Sequence, residues 1–564
     1  MSVKVDDADR AGSLQGYPRR KVALIVLFLA SFMDLLDTTI VNVALPPIQR
    51  ELSAGYSAVQ WVVAGYALAF ALLLITGGRL GDIVGRKRMF LIGVAGFTIA
   101  SATCGAAQSP GMLVASRVLQ GALAAMMVPQ VLSIIQVMFP PKERGAAMGG
   151  FAGLAGLATV AGPVLGAVLT EGDLFGLGWR AVFLINVPVG IGTLIAASLL
   201  VPESKAPTAL KLDLPGVLIV TAGLGLLLYP LVQGRDLGWP AWTFVAMVLS
   251  VPVLVGFVYY QRWRQRRDGS PLVALNLFKH RSYSAGNLVS LVFFAVMGSY
   301  FLVFTLFLQQ GLGYSVLRAG LTGLPWSVST PLFAGIGAAV LTPKFGRAVL
   351  AAGALIMAAG IALIIVTVSR YGPDLHPWQL IPALFIGGAG MGMVLAPVFD
   401  FVLSDVPEED AGSASGVFSA TEQVGFAAGI ALIGVLFFGL LGHSADRGVD
   451  AALPQLHASL SAAGVPAGPA QDQIAVGFRT CVNDIMHAAD PAVLPPSCAS
   501  AGATDGVDAA ALQRATEQAG NTARAAAFID AVRLTFAVSV AALLLTFGLI
   551  FLLPRRPTHH EVVH

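Results

Sequence analysis

Fourteen apolar runs, each about as long as a bilayer is thick, limit what this chain can become. A run of ~20 such residues crosses the hydrocarbon layer as a helix, and in lipid each backbone N–H and C=O must be satisfied within the segment. The runs cover 22–46, 57–78, 89–107, 111–138, 144–170, 180–201, 213–233, 241–260, 283–309, 316–341, 347–368, 378–403, 411–441 and 529–553. Breakers such as Pro46-Pro47, Pro140-Pro141, Pro202 and Pro373 separate them. Of the 564 residues, 56% are hydrophobic and 12% charged, where a soluble domain carries about 25%. The expected fold is an all-α integral membrane protein.

An even number of crossings puts both termini on one side, and Lys and Arg decide which. With the N-terminus inside, the inner segments hold Arg19, Arg20, Lys21, Arg86, Lys87, Arg88, Lys142, Arg144 and the cluster Arg262 to Arg267. The short outer loops hold only Arg50, Arg180, Arg235, Arg318 and Arg370. Both termini are therefore expected in the cytoplasm, and the protein in a bacterial plasma membrane. Residues 1–20 are polar and the first apolar run is too long for a signal peptide. A net charge of +3 implies no nucleic-acid partner. There is no Cys/His spacing for a metal and no GxxxxGK[ST] phosphate loop, so neither a cofactor nor ATP is expected.

The division expected is a tail (1–21), a first six-helix bundle (22–201), a two-helix insert with a basic linker (202–282), a second six-helix bundle (283–553) and a short tail (554–564). Residues 442–528, rich in Ala, Gly, Pro and Asp, read as a long outer loop with modest local structure at best. Cys481 and Cys498 both fall there, on the oxidising side, so a bridge between them is plausible, with two free thiols as the alternative. The inner loop "DIVGRKRMF" has an echo in "PKFGRAVL", with Gly85 matching Gly346 and Arg86 matching Arg347. Repeated halves of this kind mark secondary transporters.

Two acids interrupt the first run. Asp34 and Asp37, in "SFMDLLDTTIVNVALP", lie one turn apart on one helical face. A carboxylate at mid-span costs about 2.5–3.5 kcal/mol on insertion scales, and such groups are functional by default. Arg117, in the fourth run, reads as the only basic residue deep in a span, where it needs a counter-charge or a set of carbonyls; an acid of the first helix is the obvious partner. Glu422, in the thirteenth run, is a candidate cavity carboxylate or a buried structural acid, and Asp400 is expected at the membrane interface.

Several motifs stand in a familiar order. "LDTTIVNVALP" (36–46) ends helix one, and "GRLGDIVGRKR" (78–88) follows helix two. "LVASRVLQGALAA" (113–125) lies on helix four and "GLATVAGPVLGAVL" (156–169) on helix five. Together they resemble the major facilitator superfamily, specifically its fourteen-helix drug:proton antiporter branch, from about Lys21 to Pro554. The resemblance implies two six-helix bundles plus two extra central helices.

It implies for Gly78, Asp82, Gly85, Arg86 and Lys87 a latch that holds the halves together in the outward-facing state. Ile83 stands where a basic residue is usual. It implies an antiporter motif at Gly156, Gly162, Pro163 and Gly166, with Ala167 departing from the pattern. "WRAVFLINVPVG" (179–190) is assigned to architecture. The function implied is export of lipophilic or cationic small molecules by a monomer in the lipid bilayer, driven by protons, with Asp34, Asp37, Arg117 and Glu422 in the coupling path. An exporter of an endogenous metabolite or lipid, or an uptake symporter, would use the same scaffold. An aspartyl protease would need paired acids in a GxGD setting within spans, which these acids do not supply.

Overall fold

The computed structural model describes residues 17–54, 56–172, 176–205, 213–234, 237–269, 271–407, 410–487, 496–498 and 509–556. Every regular element among them is helical. The first half comprises α1 (Arg20–Glu51), α2 (Tyr56–Val84), α3 (Arg86–Gly105), α4 (Pro110–Met138), α5 (Pro141–Glu171) and α6 (Asn186–Leu200). Then come α7 (Leu214–Gln233) and α8 (Ala241–Asp268). The second half runs through α9 (Arg281–Leu306), α10 (Leu324–Ile336), α11 (Ala348–Tyr371), α12 (Ile381–Leu403), α13 (Ala411–Ala462), α14 (Pro469–His487) and α15 (Ala509–Ile550). Thirteen described helices are long and apolar enough to cross a membrane; α5, packed between α1 and α10, completes fourteen. The face where α1 begins and α15 ends is called here the terminal face, and the opposite one the distal face.

Local chemistry sets the ends. Ser109 caps α4, its hydroxyl accepting from the Met112 amide, with Pro110 at the first helical position. Asp213 caps α7 through the Gly216 amide, and left-handed Gly269 ends α8.

The internal echo is a structural repeat. The Arg86 amide donates to the Ser204 carbonyl at 2.7 Å, just past α6, and the Arg347 amide donates to the Arg555 carbonyl at 3.0 Å, just past α15. The glycine before each turns the chain with positive φ, 120° at Gly85 and 56° at Gly346. A Cβ on Gly346 would lie 1.9 Å from the Arg555 oxygen. Each half thus folds its sixth helix back onto the turn after its second.

The two extra helices are central in sequence and peripheral in space. Val220, Leu224 and Leu228 of α7 pack with Phe257 of α8 against Ala71 and Ile75 of α2 and Ala420 of α13. The outer side of α8 exposes Trp242, Phe244, Val248, Val251 and Tyr259, as a lipid-facing helix does.

Residues 442–528 differ from expectation. The described part is helical: α13 continues unbroken for 52 residues, about 78 Å at 1.5 Å per residue. α14 follows it, and α15 begins at Ala509. The cause lies in the spacing. Ala is the best helix former, and Ala445, Val449, Ala452, Leu456 and Leu460 recur at three- and four-residue steps, buried with Leu512, Ala515, Ala519 and Ala523 of α15. Gly448 lets the backbones close up, since a Cβ there would lie 2.4 Å from the Ala523 carbonyl oxygen. Arg447 pairs with Asp530 at 2.8 Å, and a disulfide joins Cys481 to Cys498.

Candidate functional site

One set of buried polar groups in the first half converges on Asp37. Asp37 lies seventeen residues into α1, about 25 Å along its axis, and has no exposed surface. Its carboxylate accepts from the Arg117 guanidinium of α4, from Gln120 Nε2 at 3.0 Å and from Asn186 Nδ2 of α6 at 2.9 Å. Arg117 also gives its Nε hydrogen to the Val62 carbonyl at 2.9 Å and one Nη1 hydrogen to Gln120 Oε1 at 2.7 Å. Gln120 donates in turn to Ser101 Oγ of α3 at 2.7 Å. Gln120 of α4, Asn186 of α6 and the Val62 carbonyl of α2 thus satisfy a single ion pair, with Ser101 behind Gln120, as a buried pair requires if it is to repay its desolvation.

Asp34 sits one turn earlier and is built differently. Its carboxyl is bonded to the Tyr66 hydroxyl of α2. The Arg117 guanidinium lies 4.3 Å above the Tyr66 ring, so one tyrosine touches both acid sites. Gly121, in the same motif as Arg117, makes this approach possible: a Cβ there would lie 2.2 Å from the Tyr66 carbonyl oxygen.

On α5, Gly162 is the residue that lets α1 in. A Cβ at Gly162 would lie 2.0 Å from Thr39 Oγ1, and that hydroxyl donates to the Ala158 carbonyl at 3.2 Å. Gly166 is buried. Gly156 and Pro163 lie outside the residues whose side-chain surroundings are described.

The second cluster joins the halves at the terminal face. Asp82 accepts from the Gly412 amide at 3.0 Å and the Ser413 amide at 2.9 Å, the first turn of α13, where a carboxylate meets unpaired amides and the positive end of the helix dipole. Arg86 holds the same carboxylate at 2.9 Å. Lys87 turns elsewhere: its ammonium caps α6 at the Ser198 carbonyl, 2.7 Å away. Two more bonds bridge the halves nearby, from Ser133 to Ser415 at 3.2 Å and from Gln136 to the Leu403 carbonyl at 3.1 Å.

The insert reaches this cluster. Ser413 Oγ donates to the Leu272 carbonyl at 3.2 Å, and Gln261 holds both the Leu272 amide and Asp213. Arg79, one residue after Gly78, is as enclosed as Arg117 at 1% exposure, so Arg117 is not alone in being a buried cation within a span.

Glu422 is half-buried, eleven residues into α13, and has no hydrogen-bond or ion-pair partner among the described residues. One turn before it, Phe418 meets Phe399 edge-on at 5.0 Å, and Phe399 meets Phe151 of α5 at 5.9 Å. Asp400 is buried at 7% exposure rather than interfacial, because the end of α12 is packed into the seam between the halves. Among the described residues no group of three His, Cys, Asp or Glu is placed to hold a metal ion.

Four residues of the acid site were not singled out from sequence: Tyr66, Gln120, Ser101 and Asn186. Gln120 is the polar letter of the Arg117 motif, three residues on. Asn186 lies in the stretch assigned to architecture; a lone amide in an apolar helix start was the available signal.

Residues 27–430 match the family described as Major Facilitator Superfamily. A protein of Streptomyces coelicolor described as a probable actinorhodin transporter is 43% identical, over 99% of each chain. The tetracenomycin C resistance and export protein of Streptomyces glaucescens is 34% identical over 79% of this chain and 81% of its own. The puromycin resistance protein of Streptomyces alboniger is 34% identical over 77% of this chain and 85% of its own. The crystal structure of the human organic anion transporter TETRAN superposes with a TM-score of 0.57 at 15% identity, over 94% of this chain and 99% of that one, a likeness of fold alone. Motifs, paired halves, the family match and a whole-length relative agree, and the chain belongs to the Major Facilitator Superfamily.

Proposed function

We propose that this protein exports lipophilic or cationic small molecules, antibiotics among them, in exchange for protons by alternating access. The relatives are described as transporters, resistance proteins or export proteins for actinorhodin, puromycin and tetracenomycin C. The observation that carries the reading for this chain is the mid-span pair of acids, Asp37 held by Arg117 and Asp34 by the Tyr66 hydroxyl. A carboxylate that can hold a proton, or lose it and attract a cation, couples the two fluxes without other machinery.

The terminal face is read as cytoplasmic, from the Lys and Arg bias of its loops. The helical segment beyond the distal face and its disulfide then lie outside. The Asp82 contacts with α13 close the cytoplasmic side and hold the protein outward-facing; rocking must break them. Glu422, one turn after Phe418 on α13, serves as a carboxylate of the substrate path. The protein acts as a monomer, with the proton gradient as its only energy source.

Tritiated puromycin and inverted membrane vesicles with an acid lumen test this. The reading predicts accumulation that a protonophore abolishes. Accumulation indifferent to the gradient, or driven by an alkaline lumen, would sink it.

A further inference from the structure

We propose that the terminal-face end of α8 binds the headgroup of an anionic phospholipid, with Arg262, Arg266 and Arg267 on the phosphate and Trp263 beside the glycerol. In steps of three or four residues, Val248, Val251, Val255, Tyr259, Arg262 and Arg266 fall within about 80° of one another around the helix. All six are exposed. Phe257 and Gln261, on the opposite side, are buried. One outward face of α8 is therefore apolar along its length and turns aromatic, then basic, at its end.

The heights along the helix match a bilayer. Trp242, exposed at the other end of α8, stands twenty-one residues before the exposed Trp263, about 31 Å along the axis. The hydrocarbon layer is about 30 Å thick, and tryptophan and tyrosine gather at its two borders. The border on the terminal face then falls near Tyr259 and Trp263, and the three arginines reach the headgroup phosphates from there. The acyl chains of the same lipid lie along Val255, Val251 and Val248. A free anion or a soluble acidic peptide would leave that apolar continuation uncovered, so the occupant is a lipid.

The three arginines are available to it. Elsewhere on the terminal face Arg20 pairs with Glu143 and Arg86 with Asp82, while Lys87, Arg281 and Arg347 are bonded to backbone carbonyls. Among the described residues, Arg262, Arg266 and Arg267 have no hydrogen bond or ion pair. Two of them are held flat on aromatic rings instead, Arg262 at 6.0 Å from the Tyr259 centroid and Arg267 at 4.9 Å from that of Trp263. Stacking fixes the guanidinium planes and leaves their N–H edges free to fork onto phosphate oxygens. The inner side of the same turn is anchored. Arg264 is bonded to Tyr260, and Gln261 spans Asp213 and the Leu272 amide. The headgroup thus meets a preset surface.

A phosphatidylglycerol with a diazirine in its headgroup, in nanodiscs with the unaltered protein, locates the lipid. Crosslinks are expected within residues 259–267, and crosslinks confined to other parts of the terminal face would overturn the site. Native mass spectrometry then measures how strongly the protein retains phosphatidylglycerol over phosphatidylcholine. Each cation beside an anionic lipid is worth about fivefold in affinity, so the triple variant Arg262→Gln, Arg266→Gln, Arg267→Gln should lose about tenfold or more of that preference. A control triple, Lys21→Gln, Lys344→Gln, Arg556→Gln, removes as much charge from exposed positions on the same face and should keep most of it. Equal loss in the two triples would mean a diffuse surface charge and contradict the site. Displacement of the lipid by millimolar inorganic phosphate would mean a free-anion site and overturn the assignment to lipid.

Discussion

Gly78 and Gly412 meet backbone to backbone across the two halves. A Cβ on Gly78 would lie 2.2 Å from the Gly412 oxygen, and a Cβ on Gly412 would lie 2.4 Å from the Gly78 oxygen. Neither neighbour is a flexible side-chain tip, so α2 and α13 must separate to admit even a methyl group. The Asp82 bonds to the Gly412 and Ser413 amides depend on the same approach.

Gly78→Ala and Gly412→Ala are each expected to open the terminal face. Spin labels at Arg88 and Phe345, exposed on the two halves, report the separation by pulsed electron resonance. The account predicts a population at longer distance in both variants. Distances unchanged from the parent would mean the glycines are not the contact that sets closure.

The Arg117–Asp37 pair predicts a specific pattern of stabilities. Arg117→Ala leaves a buried carboxylate without its counter-charge and is expected to cost about 3–5 kcal/mol. Arg117→Lys keeps the charge but loses the fork that reaches Val62 and Gln120 together, so it falls between. The double variant Arg117→Ala with Asp37→Asn should be more stable than Arg117→Ala alone. Thermal melts in detergent measure all three, and simple additivity would contradict the pairing.

The linker of the insert and the latch share Ser413, which gives its amide to Asp82 and its hydroxyl to Leu272. If they form one unit, Asp82→Asn will quicken hydrogen exchange at residues 271–274 as well as at the start of α13. Exchange that rises in α13 alone would show the insert to be a passenger.

The distal helices give a prediction about sidedness. Cysteine introduced at Ala458, exposed on the α13 extension, is expected to react with an impermeant maleimide on intact cells. Labelling only after permeabilisation would reverse the orientation. Removing Cys481 and Cys498 should cost about 3 kcal/mol within this segment, given their separation of 17 residues.

The helical spans and the motif order were legible because lipid forces long apolar runs and because glycines at tight crossings cannot be replaced. The partners of those motifs were not. Asn186 reaches Asp37 only because α6 folds beside α1, a relation of 149 residues that no local pattern carries. Lys87 looked like a member of the Asp82 charge cluster, and its long stem carries the ammonium to α6 instead. The distal segment misled through composition: Ala and Gly lower its hydropathy, yet they are the residues that let α13 and α15 pack at close range.

The central claim is that substrate and proton share one obligatory exchange through the α1 acids. Proteoliposomes with a pH-sensitive dye in the lumen and an imposed puromycin gradient test it, with protein-free liposomes as the baseline. The account predicts a lumenal pH change, driven by puromycin, that exceeds the baseline and returns to it in Asp34→Asn. Protein-dependent movement of puromycin with no pH change above the baseline would contradict it.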